Sequence, residues 1–400
     1  MKTLRERKIL SLNEKDNSTL VAELKPPKVL LVGDFAFQWY QESCALSLEQ
    51  HGCEVVRFGW MNEFRHWVLG INIPVYRSIF HRIQYRLQSG PIIWKINRRL
   101  LKVIAEESPD IVWFYSVTII SKKVIRAMRA ISPNTIFCQY SNDNPFIKTQ
   151  RGGIWLNYIK NINCFDLHFA YRHSNFADYQ RFGASNVKLL RAYFDPEHEY
   201  PTEEDLIPAK FACDVVFAGH YEDDGRLEML EAICKAGYTL NLFGSGWDTA
   251  LKLLSPNSPL REKYPVTATS QDEYRYAICG AKVALCFLST LNEDTYTRRS
   301  FQIPAMKTVM LSQYSDDLAS LFQPDVEAVF FKNESEMLEK LKILLSDDQK
   351  LEEIAEAGYH KVYLAGHDVK ARMKEFLNYL EDYSTSRCEV VLKNPIDSSI

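Results

Sequence analysis

The sequence predicts an α/β protein made of two doubly wound parallel sheets that face each other across a cleft. Two observations carry this. The 400 residues exceed what a single hydrophobic core usually fills. A strand and helix alternation also runs along the chain twice, interrupted by the proline- and acid-rich stretch "FDPEHEYPTEEDLIPAKF" at 194–211. Strands that alternate with helices pair in parallel, because each crossover helix carries the chain back to the starting edge.

The elements follow in order. "KVLLVGD" is the first strand, then a helical pattern covers 41–50, then "CEVVRFG", "DIVWFYS", "NTIFCQYS" and "DLHFAYR" each follow a helix-like segment. After the interruption the pattern restarts with "CDVVFAG", a helix over 226–235, "YTLNLFG", a helix over 272–279, and "KVALCFL". "TVMLSQY" and "EAVFF" come next, with helices over 334–345 and 348–364, a last amphipathic helix near 369–383, and a loosely held tail. The domain reading is therefore a flexible segment at 1–26, a first domain at 27–195, a linker at 196–212, a second domain at 213–365, a crossover helix at 366–383 and a tail at 384–400.

Composition narrows the class. A net charge of -3, with 46% hydrophobic and 25% charged residues, carries no overall bias toward nucleic acid or membrane, so function has to sit in local asymmetries. Nine scattered cysteines without a CxxC read as buried thiols of a reducing compartment. With no apolar signal-peptide core and no run of eighteen uncharged apolar residues, the expected location is the cytoplasm.

One local asymmetry lies at 57–102, where nine Lys or Arg residues meet a single acid, Glu63, among Trp60, Trp67, Phe80, Tyr85 and Trp94. A pair of amphipathic helices around the Gly90-Pro91 break accounts for it with solvated arginines. Basic residues among tryptophans also suit an anionic bilayer surface at the inner face of the membrane, or an anionic acceptor, and this is the reading favoured here. Nucleic acid is not expected, since no nucleic-acid-binding fold is recognisable.

In open α/β sheets, ligands bind at the carboxyl ends of the strands, so the loops there hold the candidates. Asp34 ends the first strand without a GxGxxG after it, which argues against a dinucleotide site; it reads as a helix N-cap or as a contact to an acceptor hydroxyl. Asp143, in "YSNDNPF", is either a turn residue or part of a polar cleft wall able to hold or deprotonate a hydroxyl. In "VVFAGHYEDDGRLEML", Gly219 and His220 end a strand while Gly225 and Arg226 open a helix, an arrangement that suits a diphosphate. "LFGSGW" repeats the pattern with Gly244 and Gly246. "TRRSFQIPAM" then adds Arg298 and Arg299 ahead of a helix starting near Ser300.

These loops, with "MLSQY" and "EEIAEAGYHKVYLAGHDVKARM", resemble the donor half of CgeB-like glycosyltransferases, in the glycosyltransferase group 1 clan. The resemblance runs from about residue 213 to 380, with "FADYQRFGASNVKLLRAYFDPEHEYP" ahead of it also similar. It implies a GT-B fold of two Rossmann-like domains, with a sugar nucleotide on the second, a hydroxyl acceptor on the first (glycan, glycolipid or protein-linked), and a last helix crossing back. No metal or other cofactor is implied, because positive side chains and helix N-termini neutralise the diphosphate. By the same resemblance Arg226 and Arg299 face phosphate, Tyr264, Val266 and Thr267 lie where the base rests, and Gln302 replaces a glutamate that grips the ribose. Ser300 and Phe301 stand in the same donor stretch. The clan's paired acids become Asp294 and Gln302 here, a departure that leaves an amide able to hydrogen-bond a ribose.

The expected activity is metal-independent glycosyl transfer from a nucleotide-diphosphate sugar, with retention as the clan suggests, in polysaccharide biosynthesis. Asp143 is the candidate base if the reaction inverts. A non-hydrolysing sugar-nucleotide epimerase, with His220 near the anomeric carbon, is one alternative; a non-catalytic nucleotide-sugar-binding protein is the other.

Overall fold

A computed structural model describes residues 26–68, 71–147 and 152–393. Nearly all of the segment expected at 1–26, and residues 394–400 of the expected tail, lie outside the described residues.

The first sheet contains β1 (Lys28–Gly33), β2 (Glu54–Gly59), β5 (Ile111–Tyr115), β6 (Ile136–Ser141), β7 (Leu167–Ala170) and β8 (Val187–Leu189); β3 (Arg65–Val68) and β4 (Ile71–Tyr76) form a separate antiparallel hairpin. Every pairing in this sheet is parallel, in the order β2-β1-β5-β6-β7-β8. Its helices are α1 (Ser43–Gln50), α2 (Ile79–Leu87), α3 (Pro91–Glu107), α4 (Lys122–Ile131), α5 (Leu156–Lys160) and α6 (Phe176–Arg181). Each residue of β5 and β6 is buried, as parallel strands covered on both faces require.

The second sheet is also all parallel. Its order is β10-β9-β11-β12-β13, from β9 (Cys213–Ala218), β10 (Leu240–Phe243), β11 (Ala281–Cys286), β12 (Val309–Gln313) and β13 (Val329–Phe331). Around it lie α7 (Arg226–Lys235), α8 (Trp247–Ala250), α9 (Gln271–Cys279), α10 (Arg299–Ala305), α11 (Asp316–Leu321), α12 (Glu334–Leu345) and α13 (Asp348–Leu364). Local chemistry starts these helices where the sequence marks them: Ser270 and Glu273 form a reciprocal capping box on α9, and Asn333 and Asp347 each accept a backbone N–H at the front of α12 and α13.

The last helix, α14 (Val369–Lys393), crosses back to the first domain. Phe194 and His367 begin the crossing with a backbone bond, and Val369 N returns one to Phe194 O. Beyond them, Phe376 stacks on Trp113 of β5 with ring centroids 4.4 Å apart. The resulting buried cluster is continuous from β1 and β5 through Phe194, Tyr296 and Phe301 to Met373 and Leu380.

Two expectations need correction. The helix pair at the Gly90-Pro91 break reaches back only to Ile79, and the chain before it is a strand and a hairpin. The stretch read as a tail from 384 continues α14 to Lys393, because it lacks a helix-ending Gly or Pro until Pro395.

In each sheet the strand order reverses once, between β1 and β5 and between β9 and β11. The carboxyl ends at those two reversals face the same cleft.

Candidate active site

A cavity of about 370 Å³ lies between the two domains. The first domain contributes an aromatic wall, Phe37, Trp39, Tyr40, Tyr115 and Tyr193, with Asn142, Asp143 and Arg172 beside it. The second domain contributes three loops.

Two of those loops approach each other through glycine. Gly244 has φ +138°, and a Cβ there would sit 1.9 Å from the Gly219 carbonyl oxygen; no side chain fits between the loops. Gly219 is equally constrained, since a Cβ would meet the Phe217 ring at 2.7 Å and Arg299 Nη1 at 3.0 Å. The missing side chain at Gly219 leaves the space beside the Arg299 guanidinium.

Arg299 lines the cavity with most of its donors unused. Nη2 donates to the Phe287 carbonyl at 3.4 Å, and the buried Nε has no hydrogen-bond partner. The guanidinium lies over the Phe217 ring, 5.5 Å from its centroid. Buried Arg donors are costly to leave unpaired, so a bound anion is the partner that this geometry accommodates.

Arg226 sits differently from the expectation. It is 1% exposed, and it donates to both Asp224 oxygens at 2.7 and 2.6 Å and to the His220 carbonyl at 2.7 Å. It lies outside the cavity lining and braces the loop that carries His220. That loop holds a dyad: His220 Nε2 is 2.6 Å from Glu222 Oε1, and Glu222 Oε2 accepts from Ser289 at 2.6 Å. Burial alone raises the Glu222 carboxyl, but hydrogen bonds from His220 and Ser289 and the charge of Arg226 outweigh it and hold it at about 2. His220 is therefore an oriented imidazole in the cleft, held by a permanent carboxylate.

The front of α10 also differs. The N–H groups of Ser300, Phe301 and Gln302 bond to Thr297 O and Arg298 O, and Ser300 Oγ accepts from Thr297 N. Ser300 and Phe301 are fully buried, and neither lines the cavity. These N–H groups are consumed by the preceding turn, whereas the Arg299 side chain keeps unused donors in the cavity.

Gln302 does line the cavity, and its amide is fixed: Nε2 donates to Glu199 and Oε1 accepts from Tyr274 at 3.2 Å. Glu199 comes from the linker, is 3% exposed, and also accepts from Asp195 N at 2.7 Å and Arg298 at 3.3 Å. Burial pushes its carboxyl up against the charge of Arg298. The sequence reading leaves out this residue, because a lone Glu in an acid-rich linker carries no signal of its own. Arg298, beside Arg299 in sequence, reaches the first domain at the Trp39 carbonyl and packs over the Tyr193 ring.

Asp294 also lines the cleft, paired with Arg172, a 1% exposed arginine of the first domain that sequence reasoning missed. Tyr264 and Val266 lie outside the cavity lining and pack against the second domain's core instead. Just after them, Ala268, Thr269, Ser270 and Gln271 line it, with Gln271 Nε2 buried and unpartnered. The shift follows from Thr267 accepting the Gly244 N–H, which turns the chain into the cavity one residue later.

Of the proton-transfer candidates, Asp143 and His220 line the cavity and Asp34 does not. Asp34 Oδ1 accepts from Ala36 N at 3.0 Å in the turn after β1, and burial raises its carboxyl. Among the described residues, no group of three or more His, Cys, Asp or Glu is placed to hold a metal ion.

Comparison with known proteins agrees with this architecture. Residues 226–378 match a family model described as glycosyl transferase-like. Sucrose-phosphate synthase from Thermosynechococcus elongatus superposes with a TM-score of 0.64 at 11% identity, covering 90% of this chain and 100% of the other. Anabaena Alr3699/HepE, solved in complex with UDP and glucose, gives 0.58 at 12% identity, covering 89% and 100%. A Listeria monocytogenes protein assigned as a UDP-N-acetylglucosamine 2-epimerase gives 0.52 at 11% identity, covering 90% and 97%. No curated protein matches in sequence. The fold is GT-B.

Proposed function

We propose that the protein transfers a sugar from a nucleotide-diphosphate sugar to a hydroxyl acceptor, with retention of configuration and without a metal ion. The observation that carries this is the under-used Arg299 guanidinium, set where two glycine loops meet at the floor of a cleft between domains. In this reading Arg299 holds the diphosphate, and the backbone at Gly219 and Gly244 lets it approach closely. Ala268 to Gln271 border the base, and Gln302, fixed by Glu199 and Tyr274, meets the ribose.

In the reaction, the bond between the anomeric carbon and the phosphate oxygen breaks as the acceptor oxygen bonds to that carbon. Arg299 takes up the charge that develops on the departing diphosphate, and a phosphate oxygen accepts the acceptor's proton. Asp143 and the His220–Glu222 dyad orient the acceptor hydroxyl and the sugar. HepE, with the same fold, is solved with UDP and with UDP-glucose; a uridine nucleotide is therefore the first donor to try.

The oriented His220 also favours a second reading, epimerisation of the bound donor, since an imidazole held by a carboxylate is suited to removing a sugar proton. Incubating the purified protein with UDP-, GDP- and dTDP-sugars separates the readings. Release of free nucleotide supports transfer, an epimerised donor supports the second reading, and binding without turnover contradicts both.

A further inference from the structure

The helix α2 buries none of its residues, although it is strongly apolar along one side. Tyr85 anchors it, stacking on Trp60 at 5.9 Å and meeting Phe64 and Tyr76 at 5.5 and 6.0 Å. At 100° per residue, Ile79, Phe80, Ile83 and Leu87 fall on the side opposite Tyr85. They are exposed there, Phe80 by 71% and Leu87 by 70%, and Trp94 at the front of α3 is 65% exposed.

Charge is arranged beside this face. Arg57, Lys95 and Arg99 are tied to Glu42, Glu49 and Glu63. Arg82, Arg86 and Arg98 are exposed and have no acidic partner among the described residues. Exposed large apolar side chains next to unpaired arginines are unfavourable in water and complementary to acyl chains beneath anionic headgroups.

We propose that α2 and the front of α3 dock on an anionic lipid bilayer. The hairpin against which α2 packs, through Tyr85 and Tyr76, also reaches the cleft: its half-exposed Trp67 packs against Phe37 at 5.7 Å, and Phe37 stacks on Trp39 at 4.9 Å, both of them cavity-lining. Docking therefore sets the acceptor wall of the cleft beside the membrane and favours an amphiphilic acceptor. This consequence rests on the proposed transfer reaction; the docking does not.

Vesicle flotation tests the docking, with phosphatidylcholine vesicles compared with vesicles that also contain phosphatidylglycerol. The full-length protein is expected to float only with phosphatidylglycerol, and less so as salt rises. Arg82→Glu with Arg86→Glu, and separately Phe80→Ser with Leu87→Ser, are expected to reduce the floated fraction at least about tenfold, since the first pair reverses two favourable charges and the second removes two large apolar side chains from the surface. All four positions are solvent-exposed, so thermal melting and nucleotide affinity should stay as in the wild type. Flotation of either double variant at the wild-type level, or indifference of the wild type to phosphatidylglycerol, overturns the proposal. A dimer in sedimentation that Phe80→Ser with Leu87→Ser disperses, without flotation, overturns it in favour of a second copy of this chain. Failure of nucleotide turnover would sink the transfer reading and leave these flotation results standing.

Discussion

At the scale of single residues, the linker acid changes what Gln302 means. The sequence offers only an amide at this position, and the structure sets a carboxylate directly beside it, since Glu199 accepts from Gln302 Nε2 and pairs with Arg298. Restoring the acid should therefore harm the protein. Gln302→Glu places two carboxylates together in a buried site, and we expect about 1–3 kcal/mol of lost stability at pH 7 and weaker nucleotide binding, both relieved as pH falls and one acid protonates. A urea titration at two pH values checks this; an unchanged or raised midpoint contradicts it. Part of the site was legible. Of the residues picked from the sequence, Arg299, Gly219 and Gly244 do line the cavity, because they follow the carboxyl ends of strands, where open α/β sheets form their clefts. Arg226 misled because an arginine opening a helix reads alike whether it meets a ligand or, as here, Asp224 and a carbonyl.

At the scale of elements, the crossing after α13 holds the domains together and makes their stability depend on pH. His367 stacks on Phe301 at 4.5 Å, and its Nδ1 lies 3.2 Å from Arg372 Nη2. Burial, reinforced by the charge of Arg372, lowers it to about 4, and burial lowers His168 to about 4 as well. Both folded values lie below the unfolded one of about 6.5, so the unfolded chain binds more protons in between and stability falls as pH drops from about 6.5 toward 4. The linkage is worth up to about 3 kcal/mol for each fully buried histidine. The fall of the urea midpoint across that range should become shallower in His367→Phe, which keeps the stack and leaves the His168 contribution; an unchanged slope contradicts the assignment. Phe376→Ala, which empties the contact with Trp113 and Phe169, should cost about 3–5 kcal/mol by the same measurement. Helix boundaries such as those of α12 and α13 were readable because caps and periodicity are local. The hairpin of β3 and β4 was not, because four- and six-residue strands among arginines and tryptophans carry no decisive period.

At the scale of the whole molecule, the fold places two switch points opposite each other and closes the gap with charged pairs between domains. Arg172 meets Asp294, Arg191 meets Asp317 at 2.5 Å, and Arg298 reaches the Trp39 carbonyl. The α/β alternation announced two such domains, whereas contacts between them involve residues more than a hundred positions apart and leave no local trace. With the anion role assigned to an arginine, chelation by EDTA should leave nucleotide release unchanged, and restoration by magnesium would contradict that assignment. The most direct test of the account is calorimetric titration of UDP-glucose, and of its GDP and dTDP counterparts, into wild type and Arg299→Ala. We predict that at least one of these donors binds the wild type and that its affinity falls at least a hundredfold, about 3 kcal/mol, in a variant that melts as the wild type does. Equal affinity in the two proteins would contradict it.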